Sequence, residues 1–554
     1  MVVGRFLELG WSGRAVLVAK LFGLAGIFVL APWGWVTASI ERAQLLGAAG
    51  SFGVLALYVA VLIVSYIAVV VSPFLRHTQS RVVFAFLGLV GFAVDLVVRD
   101  VTGSSLKIDM MQTLWQERAQ AAGAFDAYAH TITAVLPAVA CLFAASAIAP
   151  PRTFSLDLRY AVFPILALGL AVELMYVTRE DVISEIPSPV SAPAQFVMAA
   201  SSGVRYRGAR DAVSYPKAVE PRFKNIVYIV DESIRADYLG VNNPRINNTP
   251  FLNSVSGKIA NFGVAISSTN CSRGARYILR TGLREDQLPD ANEVGLHQPS
   301  IWQYAKYAGF RTLHLDAFSS FDPMHSFMNE AESKSIDSVI EPKPEPFWEL
   351  DRRVADALVK ALEASDQPKF IFVEKFGLHP PWKRSLPESF QFDVSGVESL
   401  PAKLSNAQKR KVGTYLKGVR WSVDLFFELT YKALSRTDTL VIYTSDHGQA
   451  MYEGGYEASH CTKNNPHLGE AMVPLIVFTG EPVFQAKLAA AASRAYNHAN
   501  HFDIYPQVLA AMGYDEAWVR ENFGTGLMSI PEGRKRRFTS TQPLKSKAIW
   551  INVD

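Results

Sequence analysis

Apolar residues are spread along this chain in two different ways. Before about residue 178 they form long runs with few charges; after it they form short runs of four to six, separated by polar and helix-period stretches. Five long runs stand out, at residues 21–40, 45–75, 82–98, 131–151 and 160–177. Each is close to or above the ~20 residues that a helix needs to cross a bilayer core. The third carries one acid, Asp95, and the fifth only Glu173; both fall near the outer ends of their runs, where headgroup level is the expected place for them. A cleaved signal peptide is a poor account of the first run, because four more follow it.

Lys and Arg set the orientation. Arg5, Arg14 and Lys20 precede the first run, Arg76 and Arg81 separate the second and third, and Arg152 and Arg159 separate the fourth and fifth. The opposite loops hold Arg42 alone, then Arg99, Lys107 and Arg118 in a longer segment. Positive loops face inward, so the N-terminus is expected in the cytoplasm and everything after Val177 outside, the periplasm in a bacterium. The outer loop 101–130 contains IDMMQTLWQERAQ, in which Asp109, Thr113 and Glu117 are spaced four apart. On a helix they share one face, while Met110, Met111, Leu114 and Trp115 can rest on the lipid surface. Such a shelf suits a lipid headgroup; the plainer reading is an amphipathic connector.

Residues 178–222, rich in Pro, Ser and Ala, read as a linker between a membrane domain at 1–177 and a soluble domain at 223–554. In the soluble part the pattern predicts buried strands at 226–230, 311–315, 370–373, 440–443 and 473–478. Helix-period stretches fall at 300–308, 350–364 and 412–434. This alternation argues an α/β domain with a mostly parallel, doubly wound sheet. Composition changes little in that picture. The chain has 554 residues, which suits two or more domains, and a net charge of +3, which disfavours nucleic acid as a partner. The three cysteines, Cys141, Cys271 and Cys461, form no CxxC pair, which argues against a cysteine-type zinc site.

The chemistry gathers at strand ends. Asp231-Glu232-Ser233 follows IVYIV; Glu374 and then His379-Pro380-Pro381 follow FIFV; Asp446-His447 follows LVIYTS; His460 and His467 come later. Open parallel sheets keep their sites at the carboxyl ends of strands. Carboxylates and imidazoles converging there fit a divalent cation, with zinc or manganese suited better than calcium. A nucleophile is available in NCSRGARYILRTGL: Ser272 at a helix start, with Ser268 and Thr269 as competitors and simple N-capping as the plainer role.

The order strand-DES, S-x-x-x-R-x-x-L-x-T-G, His-Pro-Pro and SDHG resembles the alkaline phosphatase and sulfatase superfamily. With five spans ahead of it, the chain is similar to the phosphoethanolamine transferases of the bacterial inner membrane. The resemblance implies a five-helix transmembrane domain joined to a sulfatase-like periplasmic domain. It implies zinc, or manganese, on Glu232, Ser272, Asp446 and His447, with Ser272 as nucleophile. It implies His379 and His460 in catalysis at the phosphate, and His467, Arg276 and the Asp109, Thr113 and Glu117 shelf in substrate binding. The implied donor is phosphatidylethanolamine and the implied acceptor lipid A or another envelope glycan. Three features depart from the family pattern: Ser272 where Thr is usual, Asp109 where Asn is usual, and only two outer cysteines. Gly274 stands where sulfatases need Pro, so Ser272 is expected to stay a plain alcohol. The alternatives are a membrane-anchored sulfatase-like hydrolase, phosphodiesterase or phosphoglycerol transferase, and a non-catalytic envelope scaffold. If Ser272 and His460 face one site, their neighbours Cys271 and Cys461 come within bridging reach in an oxidising compartment; the alternative is two buried thiols on opposite sides of the sheet.

Overall fold

The computed structural model describes the chain apart from residues 1–8, 31–33, 49, 103–104, 107, 109, 112–120, 179–182, 184–185, 206–208, 215–219, 318–324, 344–345, 365–366, 401–403, 457, 464 and 546. The chain divides into two compact units, Met1–Arg205 and Tyr206–Asp554.

The first unit is helical: α1 (Trp11–Leu30), α2 (Gly34–Ala48), α3 (Phe52–Val71), α4 (Thr78–Thr102), α5 (Ala121–Ala147), α6 (Val162–Thr178) and α7 (Ser188–Arg205). Among the described residues, five segments are long and apolar enough to cross a membrane: Trp11–Val29, Phe52–Phe74, Thr78–Arg99, Ala129–Ala147 and Leu158–Val177. Four match the expected runs. The first covers 11–29 where 21–40 was expected, because Lys20 does not end it and residues 34–40 belong to the separate helix α2. Lys20 is buried and donates to the carbonyls of Pro73 (2.6 Å), Ala145 (3.2 Å) and Ser146 (3.2 Å). Carbonyls at helix C-termini lack intrahelical partners, and the ammonium supplies donors there. Arg81 does the same for Leu75, Arg76 and Ala147. Asp95 is also structural: it pairs with Arg99 at 2.8 Å and accepts the Leu106 N–H at 2.7 Å.

The expected linker 178–222 is in part a packed element. α7 lies against α4 and α6, and the membrane unit therefore extends to Arg205. Gly88 and Gly91 allow the approach, since a Cβ on Gly91 would lie 2.7 Å from the Ala192 side chain. Pro193 sits inside α7, where it brings no N–H to the helical ladder.

The second unit is built on a seven-stranded sheet. In chain order its longer elements are β1 (Asn225–Asp231), β2 (Ala260–Ile266), α8 (Ser272–Thr281), α9 (Ile301–Tyr307), β3 (Arg311–Asp316), β4 (Ser338–Ile340), α10 (Leu350–Glu363), β5 (Lys369–Glu374), α11 (Asn406–Val419), α12 (Leu425–Leu434), β6 (Thr439–Ser445), β7 (Met472–Thr479) and α13 (Pro482–Arg494). A separate two-stranded ribbon, β8 (Arg537–Thr539) with β9 (Trp550–Asn552), follows. The sheet order is β2-β7-β6-β1-β5-β3-β4, parallel except that β7 runs antiparallel to β6 and β2.

Strand alternation sorts the core into two layers. Val227, Ile371 and Val441 stand in register and face one layer, with Ile229, Val373 and Tyr443 beside them. Ile226, Tyr228, Phe370, Phe372, Leu440 and Ile442 face the other. Both faces are covered, as a near-continuous apolar strand requires. The parallel register also brings the last residues of β1, β3, β5 and β6 to one edge. The predicted helix 412–434 is interrupted: residues Arg420–Asp424 form a π turn between α11 and α12.

Candidate active site

Glu232 lies one residue past β1, on a turn in which Ser233 adopts left-handed backbone geometry, φ 61°. Asp446 and His447 lie just past β6, the neighbouring strand, and Asp446 N–H donates to the Asp231 carbonyl at 2.9 Å. The side chains of Glu232, Asp446 and His447 are buried, and each offers a ligand atom within 4.8 Å of the others. Short hydrogen bonds fix the carboxylates. Ser233 Oγ donates to Glu232 Oε1 at 2.6 Å, and the Ser233 and His447 N–H groups donate to Asp446 Oδ1 at 3.1 and 2.7 Å.

The imidazole of His447 is oriented too. Nδ1 lies 2.7 Å from the Gly448 carbonyl, which can only accept, so Nδ1 carries the proton. Nε2 is thereby turned to Glu232 Oε1 at 3.4 Å and to Ser272 Oγ at 3.0 Å. Gly448 makes this turn feasible, because a Cβ there would sit 2.2 Å from the Gly469 carbonyl oxygen.

Ser272 is the first residue of α8; Cys271 occupies the N-cap position, and its side chain makes no capping bond. Ser272 is therefore not a helix cap. Its Oγ is 3.3 Å from Glu232 Oε2 as well as 3.0 Å from His447 Nε2. The competing hydroxyls are turned elsewhere. Thr269 Oγ1 donates to the Cys271 carbonyl, and Ser268 Oγ is buried without a hydrogen bond. Arg276, one turn along α8, is buried and donates to Glu232 Oε2 at 2.7 Å, with Asp446 Oδ2 at 3.2 Å. The structure thus places Arg276 on the carboxylates of the cluster.

Charge in the cluster is unbalanced. Burial and the adjacent Glu232 carboxylate push Asp446 up to about 7. Burial works against charge on His447, but Asp446 and Glu232 overcome it and raise the imidazole to about 9. Burial alone would raise Glu232 as well, yet His447 and Arg276 hold it well below the usual carboxylate range. Asp446 Oδ2 is buried without a well-formed hydrogen bond, with the Arg276 guanidinium 3.2 Å away. Two carboxylates, an imidazole lone pair and a hydroxyl converging on one point fit a divalent cation of the zinc or manganese type.

His460 and His379 flank the cluster. The His460 ring stacks on His447, with centroids 4.3 Å apart. Burial of the His460 ring and the positive charge on His447 push it down to about 3, so it is neutral at ordinary pH. His379 is half-buried, and its Nδ1 lies 2.9 Å from the Pro380 carbonyl. His467 is not drawn into the cluster. Its Nδ1 accepts the Gly469 N–H at 3.0 Å and lies 4.0 Å from Glu453, so it caps a turn. Asp109, Thr113 and Glu117 lie outside the described residues.

Cys271 and Cys461 form a disulfide, with Cα atoms 4.7 Å apart and 190 residues between them in sequence. Cys461 N–H donates to the Asn270 carbonyl at 2.9 Å, and Asn270 reaches the Thr462 carbonyl and Glu470. The loop before Ser272 and the loop after His460 are thus tied together by the bridge and by hydrogen bonds on both sides of it. Asn270 and Glu470 carried no signal in the sequence, because their role depends on a contact across some 200 residues.

The sulfatase family profile matches residues 224–514. The phosphoethanolamine transferase OpgE of Escherichia coli K12 is 27% identical over 276 residues, 48% of this chain and 47% of that protein. The match therefore spans about half the length of that curated relative. Among solved structures, the integral membrane lipooligosaccharide phosphoethanolamine transferase A of Neisseria meningitidis superposes with a TM-score of 0.54. It is 18% identical, covering 90% of this chain and 95% of that one. The zinc complex of the periplasmic domain of Escherichia coli EptC gives a TM-score of 0.50 at 15% identity, covering 62% of this chain and 96% of that one. At such identities these two structures establish likeness of fold.

Proposed function

We propose, for a chain that belongs to the sulfatase family, the activity of a metal-dependent phosphoethanolamine transferase of the bacterial inner membrane. The observation that carries this reading is Ser272 Oγ, held between Glu232 and His447 at the start of a helix. Two of the relatives described above are themselves phosphoethanolamine transferases, which supports the same reading. In this reading the catalytic unit is periplasmic and the N-terminus cytoplasmic, as the Lys and Arg bias of the loops requires.

A divalent cation on Glu232, Asp446, His447 and Ser272 supplies positive charge that stabilises the serine alkoxide and the phosphoryl oxygens. Ser272 attacks the phosphorus of phosphatidylethanolamine, its proton passing to water as the P–O bond to diacylglycerol breaks, and the diacylglycerol oxygen takes a proton from His379. The α8 N-terminus favours the phosphoryl oxygens. An acceptor hydroxyl or phosphate on lipid A or another envelope glycan then displaces Ser272. His460, kept neutral by burial, donates a hydrogen bond to a phosphoryl oxygen, and the proton of an acceptor hydroxyl passes to the departing Ser272 oxygen. Arg276 holds the two carboxylates in place, and Asp109, Thr113 and Glu117 hold the donor headgroup.

The test uses purified full-length protein with headgroup-labelled phosphatidylethanolamine and, separately, an aryl sulfate. Label on Ser272 and then on an added glycan is expected, with no release of sulfate. Sulfate release without label transfer would overturn the reading in favour of a hydrolase.

A further inference from the structure

Lys375 lies one residue past β5 and its side chain has no exposure. Its Nζ donates to Asp231 Oδ2 and, at 2.8 Å, to the Ser422 carbonyl. That carbonyl belongs to the π turn Arg420–Asp424, between α11 and α12. Ser422 Oγ is bonded in turn to Asp351, whose carboxylate also accepts the N–H groups of Phe376 and Gly377.

All of these bonds converge on one peptide. Asp231 Oδ2 accepts the Tyr443 hydroxyl at 3.0 Å, and Asp231 Oδ1 accepts the Glu232 N–H at 3.0 Å. The Glu232 carbonyl accepts the Leu378 N–H at 3.0 Å. Gly377, at φ 55°, passes so close that a Cβ would lie 2.4 Å from Asp231 Oδ1 and 2.5 Å from the Glu232 carbonyl oxygen. The segment after β5 therefore grips the backbone that carries Glu232. A buried ammonium is costly unless its partners are well placed, and an apolar pair would fill the same space more cheaply.

We propose that Lys375 is a positioning residue: it locks Asp231, and through Asp231 the Glu232 peptide, so that the Glu232 carboxylate is aimed at Ser272 and His447 in advance of cation binding. The inference rests on the reading of Glu232 as a metal ligand. Partners behind a metal's own ligands commonly change its affinity by about 10- to 100-fold when removed.

The experiment measures zinc affinity of the full-length chain by competition with a chromophoric chelator, alongside thermal unfolding. Wild type must bind zinc; failure to do so overturns the ligand reading and this inference with it. Lys375→Met combined with Asp231→Asn removes both charges together. It is expected to unfold cooperatively, to bind zinc about 10- to 100-fold more weakly and to lose kcat with KM for the donor unchanged. Tyr443→Phe removes a single bond to Asp231 and keeps the buried charges paired, so it serves if the double variant does not fold. It is expected to show a smaller loss of zinc affinity at near wild-type unfolding temperature. Folded variants that bind zinc as wild type does overturn the proposal and leave the ligand reading standing.

Discussion

Loading the site with zinc should expel protons, and the structure sets how many. Without a cation, Asp446 is pushed up to about 7 and His447 to about 9. At pH 7 the pair therefore holds between one and two protons. A cation requires the carboxylate ionised and the Nε2 lone pair free. About one to two protons should leave for each zinc bound at pH 7. The sign follows: since binding releases protons, affinity falls as pH falls. Well below pH 7, where both groups hold a proton in the cation-free protein, each pH unit should weaken apparent binding by about two powers of ten. Isothermal titration calorimetry in buffers of different ionisation enthalpy measures the release directly, as the slope of the binding heat against that enthalpy. A slope near zero would show that both groups had already shed their protons, and would refute the charge balance argued here. A slope near three would mean that a further group, such as the Ser272 hydroxyl, gives up its proton with them.

Three further outcomes are expected. Ser272→Ala should abolish turnover by at least about 100-fold while retaining cooperative unfolding, and Ser272→Thr should keep part of the activity because the hydroxyl remains; full activity in Ser272→Ala would move the nucleophile elsewhere. Replacing Cys271 and Cys461 by serine should lower stability by up to about 5 kcal/mol, the chain-entropy value for a loop of 190 residues, read as a fall in urea midpoint; an unchanged midpoint would count against a bridge that constrains the unfolded chain. A reporter active only outside the cytoplasm, fused after Arg222, should be active, and a silent reporter would sink the topology with five spans and a cytoplasmic N-terminus.

The strands that carry the site were legible because each is a short apolar run that stops at a carboxylate. β1, which ends at Asp231, and β6, which ends just before Asp446-His447, are buried on both faces, so nothing competes with the strand pattern. β2 was not legible: Asn261 and Gly263 interrupt its apolar residues, and the strand bulges there against β7. The break at Arg420–Asp424 left no trace either, since a π turn keeps a helix-like spacing and is fixed by tertiary partners of Ser422 and Asp424. Glu232, Asp446, His447 and Ser272 were found by motif and are brought together. Arg276 was expected to face substrate and instead bonds the carboxylates, because its position one turn past Ser272 points it inward. His467 and His460 could not be separated by composition; the stacked ring of His460 and the capping bond of His467 separate them in space.

The bridge between Cys271 and Cys461 also ties the site to the clock of synthesis. Ser272 leaves the ribosome with its cysteine neighbour about 190 residues before His460 and Cys461 do. At roughly 5–20 residues per second, that is about 10 to 40 seconds in which the nucleophile loop carries an unpaired thiol. The chain has only three cysteines, and the third, Cys141, lies in the apolar helix α5. The catalytic unit therefore has one internal pairing available to it. Its maturation needs an electron acceptor but no shuffling of wrong bridges, so an oxidant alone sets the moment at which nucleophile and histidine are joined.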